Sequence, residues 1–343
     1  MRVTSETIDQ ILELYFSANK TCLVYQGKSG YNNTTRYIVY DNKKYILRIY
    51  ETHKDKEKVM LEHEVLIRLN EIEGLPFKVP VPIYTNEGKT YLRLHDGSNK
   101  LGCIYTYIEG ENPVFDYSRV LYSFGKSTGD VLRALQGLQV HQPFIYRPYY
   151  EIEHTHPNCG INQVVQWCTN PPKEFTEFKS KLSWIAKQML QFQSFVPRLK
   201  TLPHQVIHGD LNESNVLVGQ NGTIEAILDF EFVTYDLRVM EVAVCISEII
   251  VKEPNESILW EKLTTFFRGF SSVLTLTKPE IDALPILVQL RRLDVFVHFL
   301  GRYLDGIDKQ DVLKEQIIKT VTNKDWLCDG GNKLTRLWSG KQL

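Results

Sequence analysis

The sequence predicts an α+β fold with two lobes, in which a small antiparallel sheet precedes a mainly helical part. Short segments rich in β-branched and aromatic residues are concentrated before residue 110, whereas apolar residues at helical spacing dominate after it. A Gly-Glu-Asn-Pro run at 110–113 marks the change, and 343 residues exceed the size at which a single core usually stops growing. We therefore expect an N-terminal lobe at 1–110, a C-terminal lobe at 111–343 and a cleft between them.

The N-terminal elements follow from changes in periodicity. Ile8, Leu12 and Tyr15 recur on one helical face, and the pattern then alternates in TCLVYQ, TTRYIVY and KYILRIY, as in strands. A second helical stretch ends before Gly74 and Pro76. The expected elements are, in order, a helix at 5–16, strands at 21–26, 34–40 and 44–50, a helix at 56–69, and strands at 90–95 and 101–108.

The C-terminal part is expected to be helical except for one hairpin. The most apolar helical stretch contains Gln289, Arg291, Arg292 and Asp294, so it is interpreted as a helix of a soluble protein rather than a membrane span. The expected helices lie roughly at 118–136, 176–197, 237–252, 257–275 and 279–304, and the hairpin lies near 215–228.

Composition excludes several classes of protein. The formal net charge is −1 and no basic stripe is present, which argues against a partner that is a nucleic acid or a membrane surface. The six cysteines occur singly, without a CxxC pair, and the N-terminus has no apolar signal segment. We expect a cytoplasmic protein with reduced thiols that acts on a small molecule.

The segment 206–232 carries the strongest chemical signal. It contains His208-x-Asp210-x₄-Asn215, a spacing typical of the catalytic loop of kinases, and then Asp229 followed by Phe-Glu. In this pattern Asp210 would orient an incoming hydroxyl and accept its proton, and Asn215 and Asp229 would bind Mg²⁺. His208 is expected to shape the loop. The alternative is a hairpin in which these polar residues only cap turns.

The spacing of this segment can be checked against hairpin geometry. Asn221-Gly222 is a strong signal for a two-residue turn, which would place Asn215 opposite Leu228. Asp229 is the next residue along the chain. An amide oxygen and a carboxylate would thus lie at the same end of a rigid ribbon, as a magnesium ion shared with phosphates requires.

Residues 206–245, with HGDLNESN, ILDFEF and YDLRVMEVA, resemble the aminoglycoside phosphotransferase and choline kinase superfamily, and most closely its homoserine-kinase-type branch. The resemblance implies a protein-kinase-like fold, ATP and Mg²⁺ as cofactors, and transfer of the γ-phosphate to a hydroxyl of a small molecule held by the helical lobe. The acceptor would be a homoserine-like amino alcohol, an aminoglycoside-type compound or another hydroxylated metabolite.

The resemblance also implies a loop that covers the phosphates. GKSGYNN at 27–33 occupies that position, with Gly30 and Asn33 as candidate phosphate contacts. A P-loop is excluded, because its first glycine would fall at Cys22 and a helix would have to follow.

Further nucleotide-binding residues are implied by position in the family pattern. Arg48, at the end of the third strand, replaces the usual lysine as the cation for the α- and β-phosphates, although its fork is not equivalent to an ammonium group. Glu64 is the preferred partner of Arg48, and Glu62 is the competing candidate. The backbone near Thr106 and Ile108 would contact adenine.

Two acidic residues after the hairpin are candidate contacts for a substrate ammonium group, Glu231 and Asp236. For Asp236 the default role is to cap the following helix, in which Glu241 also occupies an early turn. A non-catalytic, nucleotide-binding relative that acts as a sensor or scaffold is the alternative function. A purely structural module would leave the spacing of Asp210, Asn215 and Asp229 a coincidence.

Overall fold

The structure is a computed structural model that describes residues 4–17, 20–27, 33–51, 55–322, 324 and 334. It confirms the predicted α+β class. The chain divides into two compact units, and the lobe boundary near residue 110 stays a prediction. Unit 1 comprises Met1–Asn112, Gly137–Ile145 and Asn215–Val233, and unit 2 comprises Pro113–Gln136, Tyr146–Ser214 and Thr234–Leu343.

Helices and strands are numbered in chain order. The helices are α1 (Ser5–Tyr15), α2 (Lys56–Asn70), α3 (Ser118–Gln136), α4 (Ile161–Thr169), α5 (Lys179–Phe192), α6 (Val196–Leu199), α7 (Arg238–Lys252), α8 (Glu256–Ser271), α9 (Lys278–Leu304) and α10 (Gln310–Val321). The strands are β1 (Cys22–Gln26), β2 (Asn33–Tyr40), β3 (Lys43–Tyr50), β4 (Leu92–Arg93), β5 (Leu101–Thr106), β6 (His204–Ile207), β7 (Val216–Val218), β8 (Ile224–Ile227) and β9 (Thr234–Leu237).

Unit 1 is built on an antiparallel sheet with the strand order β1-β2-β3-β5-β4. Asp41 and Asn42 turn the chain between β2 and β3, and both have the positive φ angles that a tight hairpin turn needs. The inward residues of the strands, such as Leu47 and Ile104, pack against the apolar face of α1 in one hydrophobic cluster. This packing fixes β3, the strand that carries Arg48.

The hairpin of β7 and β8 reaches the predicted register by an unexpected route. Gly219 and Thr223 close a three-residue loop, one residue longer than the predicted turn, and this shifts the pairing by one position. An irregularity at Leu217/Val218 leaves Glu225 as an extra residue and shifts the pairing back. The N–H of Leu228 therefore donates to the carbonyl of Asn215 at 2.8 Å, the pairing expected from the sequence.

Unit 2 is mainly helical, with long helices in close contact. A Cβ atom on Gly125 of α3 would lie within 1.9 Å of the Phe266 carbonyl oxygen in α8, so only glycine allows this approach. Thr277 and Glu280 form a capping box at the start of α9. No helix of the described residues is long and apolar enough to span a membrane.

Several elements of unit 2 differ from the prediction. Helices α4 and α10 were not expected, and the helix expected at 176–197 is divided into α5, short helical turns and α6. Strands β6 and β9 pair with each other, Ile207 opposite Thr234. Asp236 therefore lies on a strand, not in the first turn of a helix, because β9 continues to Leu237 before α7 begins.

Candidate functional site

In unit 1, Arg48 is held between two carboxylates. Its Nη1 donates to Oε1 of Glu62 and to Oδ1 of Asp229, both at 3.0 Å, and its guanidinium lies 5.3 Å from the ring centroid of Tyr105. Burial alone would lower the pKa of Arg48, but the charges of Asp229 and Glu62 outweigh it and raise the pKa above its ordinary value. Arg48 is therefore a permanently charged group beside Asp229.

The carboxylate that pairs with Arg48 is Glu62, and the preference for Glu64 was wrong. Glu64 accepts hydrogen bonds from the backbone of His141 and Gln142 and pairs with Arg68 on its own helix. The two glutamates lie about 200° apart around α2, so only one can point to β3. Glu62 is only 2% exposed, and burial raises its pKa to about 7.

A buried network of hydrogen bonds holds the Glu62 side chain in place. The Tyr50 hydroxyl donates to Oε2 of Glu62 at 2.8 Å and lies 2.8 Å from the Tyr105 hydroxyl. Nε2 of His63 is 2.9 Å from the same Tyr105 oxygen, and its Nδ1 is 2.8 Å from the Thr90 hydroxyl. Burial lowers the pKa of His63 to about 3, so its ring is neutral at physiological pH.

Asn215 and Asp229 lie at the same end of the hairpin. Asn215 precedes β7, and Asp229 follows β8 with φ 63° and ψ 64°, the left-handed conformation that few residues other than glycine adopt. Such a conformation persists only where the surroundings enforce it and is concentrated at functional sites. The amide and carboxylate oxygens of this pair are hard donors, the kind that fits Mg²⁺.

Asn33 and Glu231 are in direct contact in unit 1. Nδ2 of Asn33 donates to Oε2 of Glu231 at 3.0 Å, and both side chains are buried. The contact ties the start of β2 to the segment that follows Asp229. Gly30, predicted as a phosphate contact, lies outside the described residues, and the roles of Asn33 and Glu231 toward ligands stay predictions.

The segment predicted to meet adenine follows β5. The N–H of Thr106 donates to the Val81 carbonyl at 2.9 Å and the N–H of Tyr107 to the Lys44 carbonyl at 3.3 Å. Among the described residues we find no acceptor for the N–H of Ile108. Ile108 is thus the better candidate for a base contact, and the assignment stays a prediction.

In unit 2, the loop that carries Asp210 is held on several sides. The N–H of Gly209 donates to Oε2 of Glu241 in α7 at 3.0 Å, and the Gly209 carbonyl accepts from the Tyr149 hydroxyl at 2.6 Å. Nδ1 of the buried His208 accepts from the N–H of Asp210 at 3.2 Å, in keeping with the expected loop-shaping role. Gly209 itself has a positive φ angle, a conformation that glycine adopts without steric cost.

Sequence reasoning missed the residue that contacts Asp210. Nη2 of Arg291, in α9, donates to Oδ1 of Asp210, and Nη1 donates to the Tyr149 hydroxyl at 2.8 Å. Asp294, one turn further along, lies 3.7 Å from Arg291. The available signal was the presence of charged residues in the most apolar helix, where they need partners.

The structure corrects the hypothesis that Asp236 contacts a substrate. Its side chain is fully buried, one oxygen accepts from the N–H of Tyr149 and the other from the N–H of Leu237, both at 2.6 Å. Burial raises its pKa to about 7 despite these bonds. Asp236 is a structural group that anchors the segment containing Tyr149.

Known proteins with similar sequence or structure include several kinases. The chain is 22% identical over 293 residues to a homoserine kinase of Zymomonas mobilis subsp. mobilis, covering 84% of this chain and 83% of that one. An amicoumacin kinase in complex with AMP-PNP, Ca²⁺ and Ami superposes with a TM-score of 0.66 and 16% identity over 96% of this chain and 94% of that one. A microcompartment-associated aminopropanol kinase gives a TM-score of 0.65 and 16% identity, covering 96% and 100%.

The match to a family model covers strands β2 to β9, including the hairpin of β7 and β8. The model of the phosphotransferase enzyme family, APH, matches residues 26–269, more than half of the chain. The matched part contains Arg48, Asp210, Asn215 and Asp229. The chain belongs to this phosphotransferase family.

Proposed function

We propose that the protein is an ATP- and Mg²⁺-dependent kinase that phosphorylates a hydroxyl group of a small molecule. The observation that carries the proposal is the arrangement in unit 1, where Arg48 bridges Glu62 and Asp229 beside Asn215. A cation that is itself fixed by a buried carboxylate suits binding of nucleotide phosphates. The amicoumacin kinase, whose structure contains AMP-PNP and a divalent ion, supports a nucleotide and metal requirement.

The proposed residue roles follow the chemistry of phosphoryl transfer. Arg48 binds the α- and β-phosphates, and Asn215 and Asp229 would hold Mg²⁺, which neutralises charge on the transferring phosphoryl group when bound. Asp210 orients the acceptor hydroxyl. A bond forms between the hydroxyl oxygen and the γ-phosphorus, the bond from that phosphorus to the β,γ-bridging oxygen breaks, and the hydroxyl proton passes to Asp210.

The acceptor proposed first is a small amino alcohol. Homoserine and aminopropanol, named in the relatives above, both combine a hydroxyl with an amine. An aminoglycoside-type acceptor is the second candidate, supported by the structural likeness to a spectinomycin phosphotransferase. The described cysteines are free thiols, which supports a reducing compartment such as the cytoplasm.

The test is ADP release from purified protein with Mg-ATP across a panel of amino alcohols, sugars and aminoglycosides. We expect turnover with one class of acceptor and a loss of at least about 10³-fold in kcat in Asp210→Asn, because the neutral amide cannot accept the proton. ATP binding, measured separately by calorimetry, should change less than about twofold.

Two outcomes would contradict the kinase assignment. The first is full activity in Asp210→Asn. The second is Mg-ATP binding without ADP release for any acceptor on the panel, which would favour the sensor or scaffold alternative.

A further inference from the structure

Arg291, which the sequence motif does not include, contacts Asp210 directly. Its two terminal nitrogens are divided between two partners, Nη2 on Oδ1 of Asp210 and Nη1 on the Tyr149 hydroxyl. The side chains of Arg291 and Asp210 are 18% and 21% exposed. Both groups therefore retain limited access to solvent, and neither belongs to the sealed core.

Several contacts hold the Arg291 guanidinium in place. Tyr149 accepts from Arg291 and donates its own proton to the Gly209 carbonyl, and burial raises the pKa of Tyr149, so the phenol stays protonated. The N–H of Tyr149 is bonded to Asp236 at 2.6 Å. The Arg291 guanidinium also lies 5.7 Å from the centroid of the Tyr149 ring. One tyrosine thus links the arginine to the backbone of the loop that carries Asp210.

The charges around this pair explain why a cation is needed there. Burial would lower the pKa of Arg291, but Tyr149, Asp210 and Asp294 outweigh it and raise the pKa, so the guanidinium stays charged. Without it, Asp210 would share a partly buried region with other acidic groups, and mutual repulsion favours protonation. Among the described residues, the titratable and charged groups near the pair include the following: His208 of the same loop, Tyr149, Asp236 of β9, Glu241, Cys245 and Glu248 of α7, and Asp294 of α9.

We propose that Arg291 is a positioning residue that fixes the Asp210 carboxylate in one orientation and keeps it ionised as the acceptor of the substrate hydroxyl's hydrogen bond. This inference rests on the proposed kinase function. The ion pair to Oδ1 sets the plane of the carboxylate, and the bond to Tyr149 prevents the guanidinium from following Asp210 if that side chain rotates. Arginine is required because both terminal nitrogens are used at once, which a single ammonium group cannot reproduce in the same geometry.

The inference is tested with Arg291→Met and Arg291→Lys, with Arg302→Met as matched control. Arg302 lies on the same helix eleven positions beyond Arg291, is buried, and is ion-paired with Asp308 at 2.6 Å. Steady-state kinetics for both substrates, the pH profile of kcat and the melting temperature are measured for each variant. The acceptor is the one that gives turnover with the unaltered protein.

In Arg291→Met we expect kcat to fall about 100-fold, as for other losses of orientation, while KM for ATP changes less than about twofold. The acidic limb of the pH profile should move upward by about one pH unit, because the positive charge that favours ionised Asp210 is gone. Arg291→Lys should restore the acidic limb and recover only part of kcat. Arg302→Met should lower the melting temperature but leave kcat and the pH profile unchanged.

Each remaining outcome overturns the inference. A kcat and an acidic limb in Arg291→Met that match Arg302→Met would show a purely structural residue. A rise in KM for the acceptor alone, with kcat and the pH profile unchanged, would make Arg291 a substrate-binding residue instead. Absence of turnover in the unaltered protein with every acceptor contradicts the proposed function, and the positioning role fails with it.

Discussion

The two units fix their charged candidate residues in different ways. In unit 1, Arg48 pairs with Glu62, fourteen positions away, and with Asp229 at the end of a recognisable motif. In unit 2, Asp210 lies in an equally recognisable motif, but Arg291 and Tyr149, which hold its loop, are 81 and about 60 positions away in sequence. The comparison teaches that a motif identifies the reacting groups but not the groups that orient them.

The comparison predicts that disturbing the cluster of Arg48, Glu62 and Asp229 in unit 1 affects nucleotide binding. In Glu62→Gln the amide leaves Arg48 with one carboxylate instead of two, so the cation is less well fixed. We expect kcat/KM for ATP to fall 10- to 100-fold, about 1.4 to 2.7 kcal/mol, mostly through KM. Steady-state kinetics with varied ATP measures this.

Glu64→Gln is the matched control for this prediction, since Glu64 is on the same helix and bonds to His141 and Arg68 rather than to Arg48. Its kinetics should stay within about twofold of the unaltered protein, because Glu64 does not pair with Arg48 and its ion-pair partners His141 and Arg68 are partly exposed. Equal losses in both variants would remove the distinction between the two glutamates.

Disturbing the group of Asp210, Arg291 and Tyr149 in unit 2 should instead change turnover. Tyr149→Phe removes one hydrogen bond to Arg291 and one to the Gly209 carbonyl. At about 1 kcal/mol for each bond, the loss is about 1 to 2 kcal/mol, and we expect kcat to fall about 5- to 30-fold with KM for ATP unchanged. The same steady-state assay tests this prediction. A change confined to KM for ATP would contradict the proposal that the unit 1 residues affect nucleotide binding and the unit 2 residues affect turnover.

The smallest expected effect is on the pH dependence of folding stability. It comes from His63, which belongs to the hydrogen-bond network that reaches Glu62. Because the pKa of His63 is lowered to about 3, the unfolded chain binds a proton that the folded protein does not once the pH falls below about 6.5. His63 therefore contributes stability above pH 6.5 that is lost as the pH falls from 6.5 toward 3, by up to about 1.4 kcal/mol per pH unit.

Urea unfolding followed by circular dichroism, at pH values from about 5 to about 7.5, measures this slope. His63→Gln should show a shallower dependence by about one proton, and the exposed His95→Gln should not. A parallel pair of curves for His63→Gln and the unaltered protein would contradict a neutral, buried His63.

The accuracy of the sequence predictions depends on how local their causes are. The sheet strands and α3 were predicted closely because alternation and helical spacing are local patterns. Glu64 was preferred over Glu62 because the buried face of α2 carries Glu62 and His63 among its apolar residues, so the pattern does not show which glutamate points inward. The contact of Arg291 with Asp210 depends on the tertiary packing of α9. The charged residues in this apolar helix indicate that they have partners, but they do not indicate which residues those partners are.

The hairpin that ends in Asp229 keeps the pairing at its open end even if its loop changes in length. Gly219 pairs with Thr223, and the bulge at Glu225 then brings Asn215 opposite Leu228. Deleting Gln220 would leave Asn221 and Gly222 as a two-residue turn between Gly219 and Thr223, and the pairing of β7 with β8 would stay the same. The relative position of Asn215 and Asp229 is therefore set by the strand pairing and not by the number of residues in the loop.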